Sequence, residues 1–281
     1  MRYQLVFLTA LAVLGLCGCP KQLPIQAIIL SNDDGSNASP ITLAEIDIWV
    51  DAANDNYTGH GYELTFDHAD VAYVKSTMLN NPPNTPENWK PDPEHGIYFS
   101  PDQMYDMFAN SVGAGYPDKI VVLFRGVGGG GWSWGPPNLR YVSMPSYTHT
   151  CISKPTPGIC NPNDTLLAHE VGHYLGLAHT FWETRCNLLT TSNTDGDAGG
   201  QNGSTTEDDV LDTDADPGAD CAPTNSLTCT GGSVSVNGIT FTPPWTNLMS
   251  YHDCLPETMS LDQRAAINYT LQHPMRSQIP K

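Results

Sequence analysis

The sequence predicts an α/β fold followed by an irregular, cysteine-bearing region, and three observations lead there. Short apolar runs rich in β-branched residues, Ile25 to Leu30 (IQAIIL) and Lys119 to Phe124 (KIVVLF), have the length and composition of buried strands. Stretches with helical spacing of apolar residues alternate with them. From about Asn187 to Gly232 the composition then shifts to Asp, Gly, Thr and Asn. Such a segment buries little apolar surface and needs disulfides or metal to hold it.

At the N-terminus, MRYQLVFLTALAVLGLCGCP has one Arg and then an apolar run from Leu5 to Leu16. The run is too short to span a bilayer and fits the core of a secretory signal. It ends in Leu16-Cys17-Gly18-Cys19, which resembles a bacterial lipoprotein signal with Cys19 as the lipidated residue; an ordinary cleaved signal is the alternative. Residues 1–19 are thus expected to act as a lipoprotein-type signal, with an exported protein tied to a membrane by its N-terminal lipid or secreted. Only Pro20 to Pro24 precede the first strand, so no substantial zymogen segment is expected.

After that strand, SNDDGSN is a turn cluster, and Ser39-Pro40 suits the start of a helix over Ile41 to Asn54. Tyr62 to Phe66 and Val71 to Val74 read as strand pieces, and NNPPNTPENWKPDP as a surface loop. Ser100 to Val112 reads as a helix opened by Ser100-Pro101. Behind the KIVVLF strand, Gly126, Gly128 and Gly131 formally satisfy GxGxxG. Trp132, Trp134 and two prolines follow instead of a helix, which excludes a dinucleotide site. A glycine loop leading into an edge strand, Arg140 to Met144, is the better reading. Ser260 to Gln272 reads as a final helix.

The 281 residues suffice for a full-sized core, as one large domain or two subdomains. With 30 acidic against 12 basic residues and a net charge of -18, the chain lacks the basic face that nucleic acid requires. Solubility accounts for most of that charge, and clustered acids can also hold hard cations. Export places Cys151, Cys160, Cys186, Cys221, Cys229 and Cys254 in an oxidising compartment, where disulfides are expected. No CxxC pair suggests zinc at these cysteines. Cys151 and Cys160 flank the loop ISKPTPGI and can close it locally, but six cysteines allow about 15 pairings and the sequence alone does not choose.

The chemistry is concentrated in HEVGHYLGLAHTF, His169 to Phe181. Asp164 is the best cap candidate for a helix here. His169 and His173, four apart, project from one face within reach of one ion. Glu170 lies beside them without being a ligand. Gly176 lets the chain leave the helix sharply and return His179 as a third ligand. Three protein nitrogens leave a fourth position for water, the catalytic pattern for zinc rather than the structural one. Histidines satisfying core hydrogen bonds are the bland alternative, which the added Gly176 and His179 make much less economical.

The pattern HExxHxxGxxH resembles the metzincin metallopeptidases. Asn247-Leu248-Met249-Ser250-Tyr251 is similar to their Met-turn, with Tyr251 in the place of a switching tyrosine. Three details resemble the pappalysin family: Thr180-Phe181 after the third histidine, Glu207-Asp208-Asp209-Val210-Leu211-Asp212-Thr213, and the order of Cys186, Cys221, Cys229 and Cys254. Matrixins, the nearest competitor, prefer Ser where Thr180 stands. The resemblance covers the catalytic helix through the last helix. It implies Cys186–Cys229 and Cys221–Cys254 pairing and an α/β metzincin-type catalytic domain. That domain has a twisted, mostly parallel sheet with long helices, residues 20–180 with the zinc helix, and an irregular disulfide-bearing C-terminal subdomain, 181–281, with the Met-turn.

The expected activity is a monomeric zinc endopeptidase acting on protein or peptide. Zinc on His169, His173 and His179 would lower the pKa of its water to about 7. Glu170 would serve as general base and Tyr251 as oxyanion donor. Substrate would lie along Arg140 to Met144. Asp253 would line a pocket favouring a basic side chain after the scissile bond. A calcium ion is expected in the acidic loop on Asp208, Asp212 and Thr213. The rival reading is an inactive zincin or zinc-binding surface lipoprotein, which has no use for Glu170.

Overall fold

A computed structural model describes residues 19–82, 101–127, 130–133, 135, 139–145, 165–181, 212–214, 216–218, 232–236, 239–250 and 258–279. Strand β1 (Lys21–Ser31) runs through the middle of the protein. Its residues Leu23, Ile25, Ala27 and Ile29 enter one apolar core, while Ile28 and Leu30 enter another. That alternation is the two-residue period of a strand, and burial on both faces explains the unbroken apolar run. Strand β3 (Ile120–Phe124) does the same, with Ile120, Val122 and Phe124 on the first core and Val121 and Leu123 on the second.

Helix α1 (Leu43–Tyr57) covers the first core with Ile46, Trp49, Val50, Ala53 and Tyr57. Its cap is Thr42, not Ser39-Pro40: the Glu45 N–H donates to the Thr42 side chain, and the Thr42 N–H donates to Glu45 Oε2 at 2.8 Å. This reciprocal pair is the capping box that T-x-x-E offers. The two expected strand pieces that follow are one strand, β2 (Tyr62–Lys75). Ile25 pairs with Phe66 but Ala27 with Val71, so Asp67 to Asp70 bulge out opposite Gln26. Gln26 Nε2 donates to Asp70 O at 2.8 Å and occupies one of the carbonyls the bulge frees.

Helices α2 (Thr77–Asn80) and α3 (Pro101–Ala114) precede β3; Leu79 of α2 and Tyr105 and Ala109 of α3 are buried in the second core. Strand β4 (Val142–Met144) completes a four-stranded sheet in the order β2-β1-β3-β4, every pair parallel. Helix α4 (Leu166–Tyr174), with every residue from Leu167 on buried, enters the first core. Tyr57 Oη of α1 donates to its Ala168 carbonyl at 2.9 Å. A small antiparallel pair, β5 (Val234–Val236) and β6 (Ile239–Phe241), and helix α5 (Leu261–Thr270) follow. Ser260 caps α5 in a second capping box, with Gln263, and Ile267 and Leu271 return to the first core.

The edge strand expected at Arg140 to Met144 is β4, Val142–Met144, at the end of the sheet. Trp132 exchanges both backbone hydrogen bonds with Ser143, at 3.0 and 2.9 Å, in an antiparallel bridge. The outer side of β4 is therefore covered at its centre, and the segment around Trp132 lies outside it. The disulfide expectations at residues 151, 160, 186, 221, 229 and 254 fall outside the described residues; Cys19 is exposed and free. Among the described residues no helix is long and apolar enough to cross a membrane.

One buried polar side chain holds the loops at the head of the sheet. Asn80 Nδ2 donates to Asn32 Oδ1 (2.9 Å) and Asn37 O (2.8 Å), and its Oδ1 accepts from Gly126 N–H (2.5 Å). A Cβ on Gly126 would collide with the Asn37 carbonyl, so only glycine permits this approach. Asn80→Ala removes the buried hub from partly buried and exposed partners on both loops and is expected to cost about 1–2 kcal/mol in urea unfolding. A change below about 0.5 kcal/mol, the ordinary effect of a surface substitution, would show that the network holds nothing.

Candidate metal centre

The three histidines meet. His169 Nε2 and His173 Nε2 lie 3.1 and 2.9 Å from His179 Nε2, and one nitrogen from each ring falls within 4.8 Å of the others. Two of the rings are fixed from behind. His169 Nδ1 donates to Leu248 O and His173 Nδ1 to Leu177 O, both at 2.7 Å. In a neutral imidazole whose Nδ1 carries the proton, Nε2 is a lone pair. Lone pairs brought this close repel unless a cation lies between them. Tetrahedral zinc with Zn–N near 2.0–2.1 Å places its ligand nitrogens about 3.3 Å apart, close to the spacing found. The residues fit a zinc ion.

Burial keeps these rings in the ligand form. Desolvation, aided by the neighbouring rings, pushes His169 down to about 3 and His179 to about 2; burial pushes His173 down to about 4. Phe181 stacks on His179 with ring centroids 4.7 Å apart. Thr180, also buried, donates its hydroxyl to Asp216 Oδ2 at 2.8 Å and its N–H to Met249 O at 3.2 Å. The third ligand is thus held on either side by its two successors.

Backbone conformation delivers that ligand. α4 starts one residue later than expected, with Thr165 rather than Asp164 at the cap position. It ends before Gly176, whose φ is +93°, a region that side chains with a Cβ resist. A Cβ there would also run into Thr270 Oγ1 of α5. On another face Gly172 admits Met249, whose sulfur would sit 2.6 Å from an added Cβ. Met249 is fully buried. Met249 thus packs against the histidine helix, and the carbonyl of the preceding Leu248 is the one that orients His169.

Glu170 is 5 % exposed, and its Oε2 has no hydrogen-bond partner among the described residues. Burial raises its carboxyl to about 8, opposed by a hydrogen bond from the Ser133 backbone N–H and by the Arg125 charge. The glycine run dismissed as a nucleotide loop packs here. A Cβ on Gly131 would lie 2.8 Å from Glu170 Cγ, and one on Gly135 would lie 2.8 Å from Gly176 Cα. The sequence reading missed this role for the loop. A glycine run ahead of a buried HExxH helix was its only signal.

Tyr251, Asp253 and Asp208 lie outside the described residues. Asp212 Oδ2 accepts from the Asp262 N–H at the start of α5, at 3.0 Å, where a carboxylate meets the positive end of the helix. Thr213 is buried. Among the described residues the histidine triad is the one group able to hold a metal, and calcium has no support.

Residues 151–272 match the peptidase M43 family, described as pregnancy-associated plasma protein-A. This segment contains the triad, Glu170 and Met249. A solved structure, metalloproteinase-II from Bacteroides fragilis, is similar at 14% identity and a TM-score of 0.35, over 93% of this chain and 54% of that one. The chain spans about half the length of that protein. No curated protein matches. The family match and the three-histidine site together support a zinc metallopeptidase.

Two outcomes follow from the geometry. Gly176→Ala should weaken zinc binding at least about tenfold in competition with a chelator, because strain of about 1–2 kcal/mol falls on the turn that delivers His179; unchanged affinity would sink the turn argument. The chelated protein should lose stability between pH 7 and pH 5. Unfolding lets three imidazoles return to 6.5 and take up protons, while folded Glu170 keeps one that the unfolded chain releases above 4.5. The difference, 3 − 1 = 2 protons, favours the unfolded state as pH falls. Equal or greater stability at pH 5 in urea titrations would contradict it.

Proposed function

We propose that the chain is a pappalysin-type zinc endopeptidase, exported and anchored through lipid on Cys19. The observation that carries this reading is the convergence of three histidine Nε2 atoms, two of them held as lone pairs, beside a buried carboxylate with one oxygen unpartnered among the described residues. A storage site has no need of that carboxylate. Zinc, when bound, supplies a Lewis acid that activates water and polarises a carbonyl. Glu170 takes the water proton as the peptide carbonyl is attacked and passes it to the leaving amine. Burial raises this carboxyl in the metal-free site, and a zinc dication beside it would favour the carboxylate that the base role requires. Gly131 leaves room for the carboxylate, and the Ser133 N–H fixes one of its oxygens. By the resemblance to pappalysins, Tyr251 would be the oxyanion donor and Asp253 would select Arg or Lys after the scissile bond.

Casein cleavage with and without chelator tests the reading, and Glu170→Ala sharpens it. The variant should bind zinc as the parent does while turnover falls about a thousandfold or more. Equal turnover under saturating zinc would remove the mechanism. A wild-type protein that binds zinc and cleaves nothing would leave the zinc-binding lipoprotein. Profiling of a peptide library tests Asp253 separately: Asp253→Ala should lose the basic preference, and an apolar preference in the parent ends that assignment.

A further inference from the structure

The residue that continues β3 is a buried arginine. Arg125 is 1 % exposed, and its N–H donates to Met144 O at 3.1 Å, extending the β3–β4 pairing by one step. Its side chain turns to the segment that lies outside β4. Nη2 donates to Gly130 O at 2.5 Å, and the guanidinium lies 4.4 Å from the Trp132 ring centroid. This segment has two further attachments. Trp132 is bridged to Ser143, its Nε1 donates to Tyr141 Oη at 3.3 Å, and Ser133 Oγ donates to Tyr141 O at 2.9 Å. On its other side, Gly131 presses on Glu170 and the Ser133 N–H binds the Glu170 carboxylate. Arg125 therefore holds the front of a short strap, β4 holds its middle, and Glu170 rests on it.

We propose that Arg125 is a positioning residue for Glu170, acting through the Gly130–Ser133 strap. The Gly130 carbonyl precedes, by one residue, the glycine that meets Glu170, and the stacked Trp132 precedes the serine that binds it. Glycines on both sides of the strap, Gly126 and Gly135, give the segment little stiffness of its own. A planar guanidinium supplies stiffness from outside, because it can stack on an indole and donate in its own plane together. An arginine retained only for stability is a poor choice at such a site. A buried cation carries a desolvation cost that an apolar side chain of equal length avoids.

The inference rests on the peptidase reading for its catalytic consequence, but its structural link is measured without turnover. In Arg125→Met, amide hydrogen exchange at residues 131–133 should rise about tenfold or more while Leu166–Tyr174 stays protected. Zinc affinity should change little, because the carbonyls that orient His169 and His173 belong to Leu248 and Leu177, outside the strap. If the protein cleaves peptides, kcat should fall about tenfold or more. Combined with Gly131→Ala, the loss should be clearly smaller than the product of the single losses, since both changes act by shifting one segment. If Arg125→Met does not fold, Arg125→Lys serves, keeping the cation but losing the planar stack, with the same exchange signature. Unchanged exchange in the strap, or losses in kcat that multiply, overturns the proposal. An inactive parent whose strap still loosens in Arg125→Met would defeat the peptidase reading and leave the positioning link standing.

Discussion

Two hydrogen bonds from imidazole Nδ1–H groups to backbone carbonyls set the chemistry of this protein. Leu248 O and Leu177 O fix the tautomer of His169 and His173 and thereby aim both Nε2 lone pairs at one point. Such outer partners orient metal ligands as strictly as the ligands orient the metal. They also come from two different places. Leu177 belongs to the turn that follows α4 itself, whereas Leu248 comes from the segment before α5. The site is complete only when the C-terminal part of the chain has closed over the sheet, and the closure is sealed by burial of Met249, Ile267 and Leu271 in the same core as β1 and α1.

Glycine makes that closure possible. α4 is nine residues long and buried on nearly every side, so its neighbours must approach it through backbone rather than through side chains. Gly172 admits the Met249 sulfur, Gly176 both turns the chain and clears Thr270, Gly131 clears Glu170, and Gly135 meets Gly176. A single Cβ at any of these positions lands where an atom already is. The apolar residues supply the driving force for burying the helix. The glycines determine how closely the other segments can surround it.

Much of this was legible in the sequence, for physical reasons that also mark where legibility ends. The run HExxHxxGxxH encodes side-chain spacing on a helix and one obligatory left-handed turn, and both are local properties. IQAIIL and KIVVLF encode burial on both faces of a strand. By contrast, β2 was read as two pieces because the polar bulge at Asp67 to Asp70 interrupts its alternation, although the register with β1 resumes beyond it. The cap at Thr42 was missed in favour of Ser39-Pro40, yet its signal, T-x-x-E, was there to read. The covered edge of β4 had no local signal, because a bridge between Trp132 and Ser143 is a tertiary event. The ligand-orienting carbonyls were equally invisible, since every residue has one.

The glycine loop was legible as a loop but not in its role. Its letters satisfy a nucleotide fingerprint, and the absence of a following helix correctly removed that reading, but nothing then said what the glycines were for. Glycine reports that something approaches closely, not what approaches. Here the approaching groups are Asn37 at Gly126, Glu170 at Gly131 and the α4 terminus at Gly135. One loop therefore touches the head of the sheet, the buried carboxylate and the metal-ligand turn in succession. A shift in any of the three contacts is carried along a few residues of backbone to the other two. Arg125, packed in the fold of that loop against Gly130 and Trp132, is where the sheet can resist such a shift.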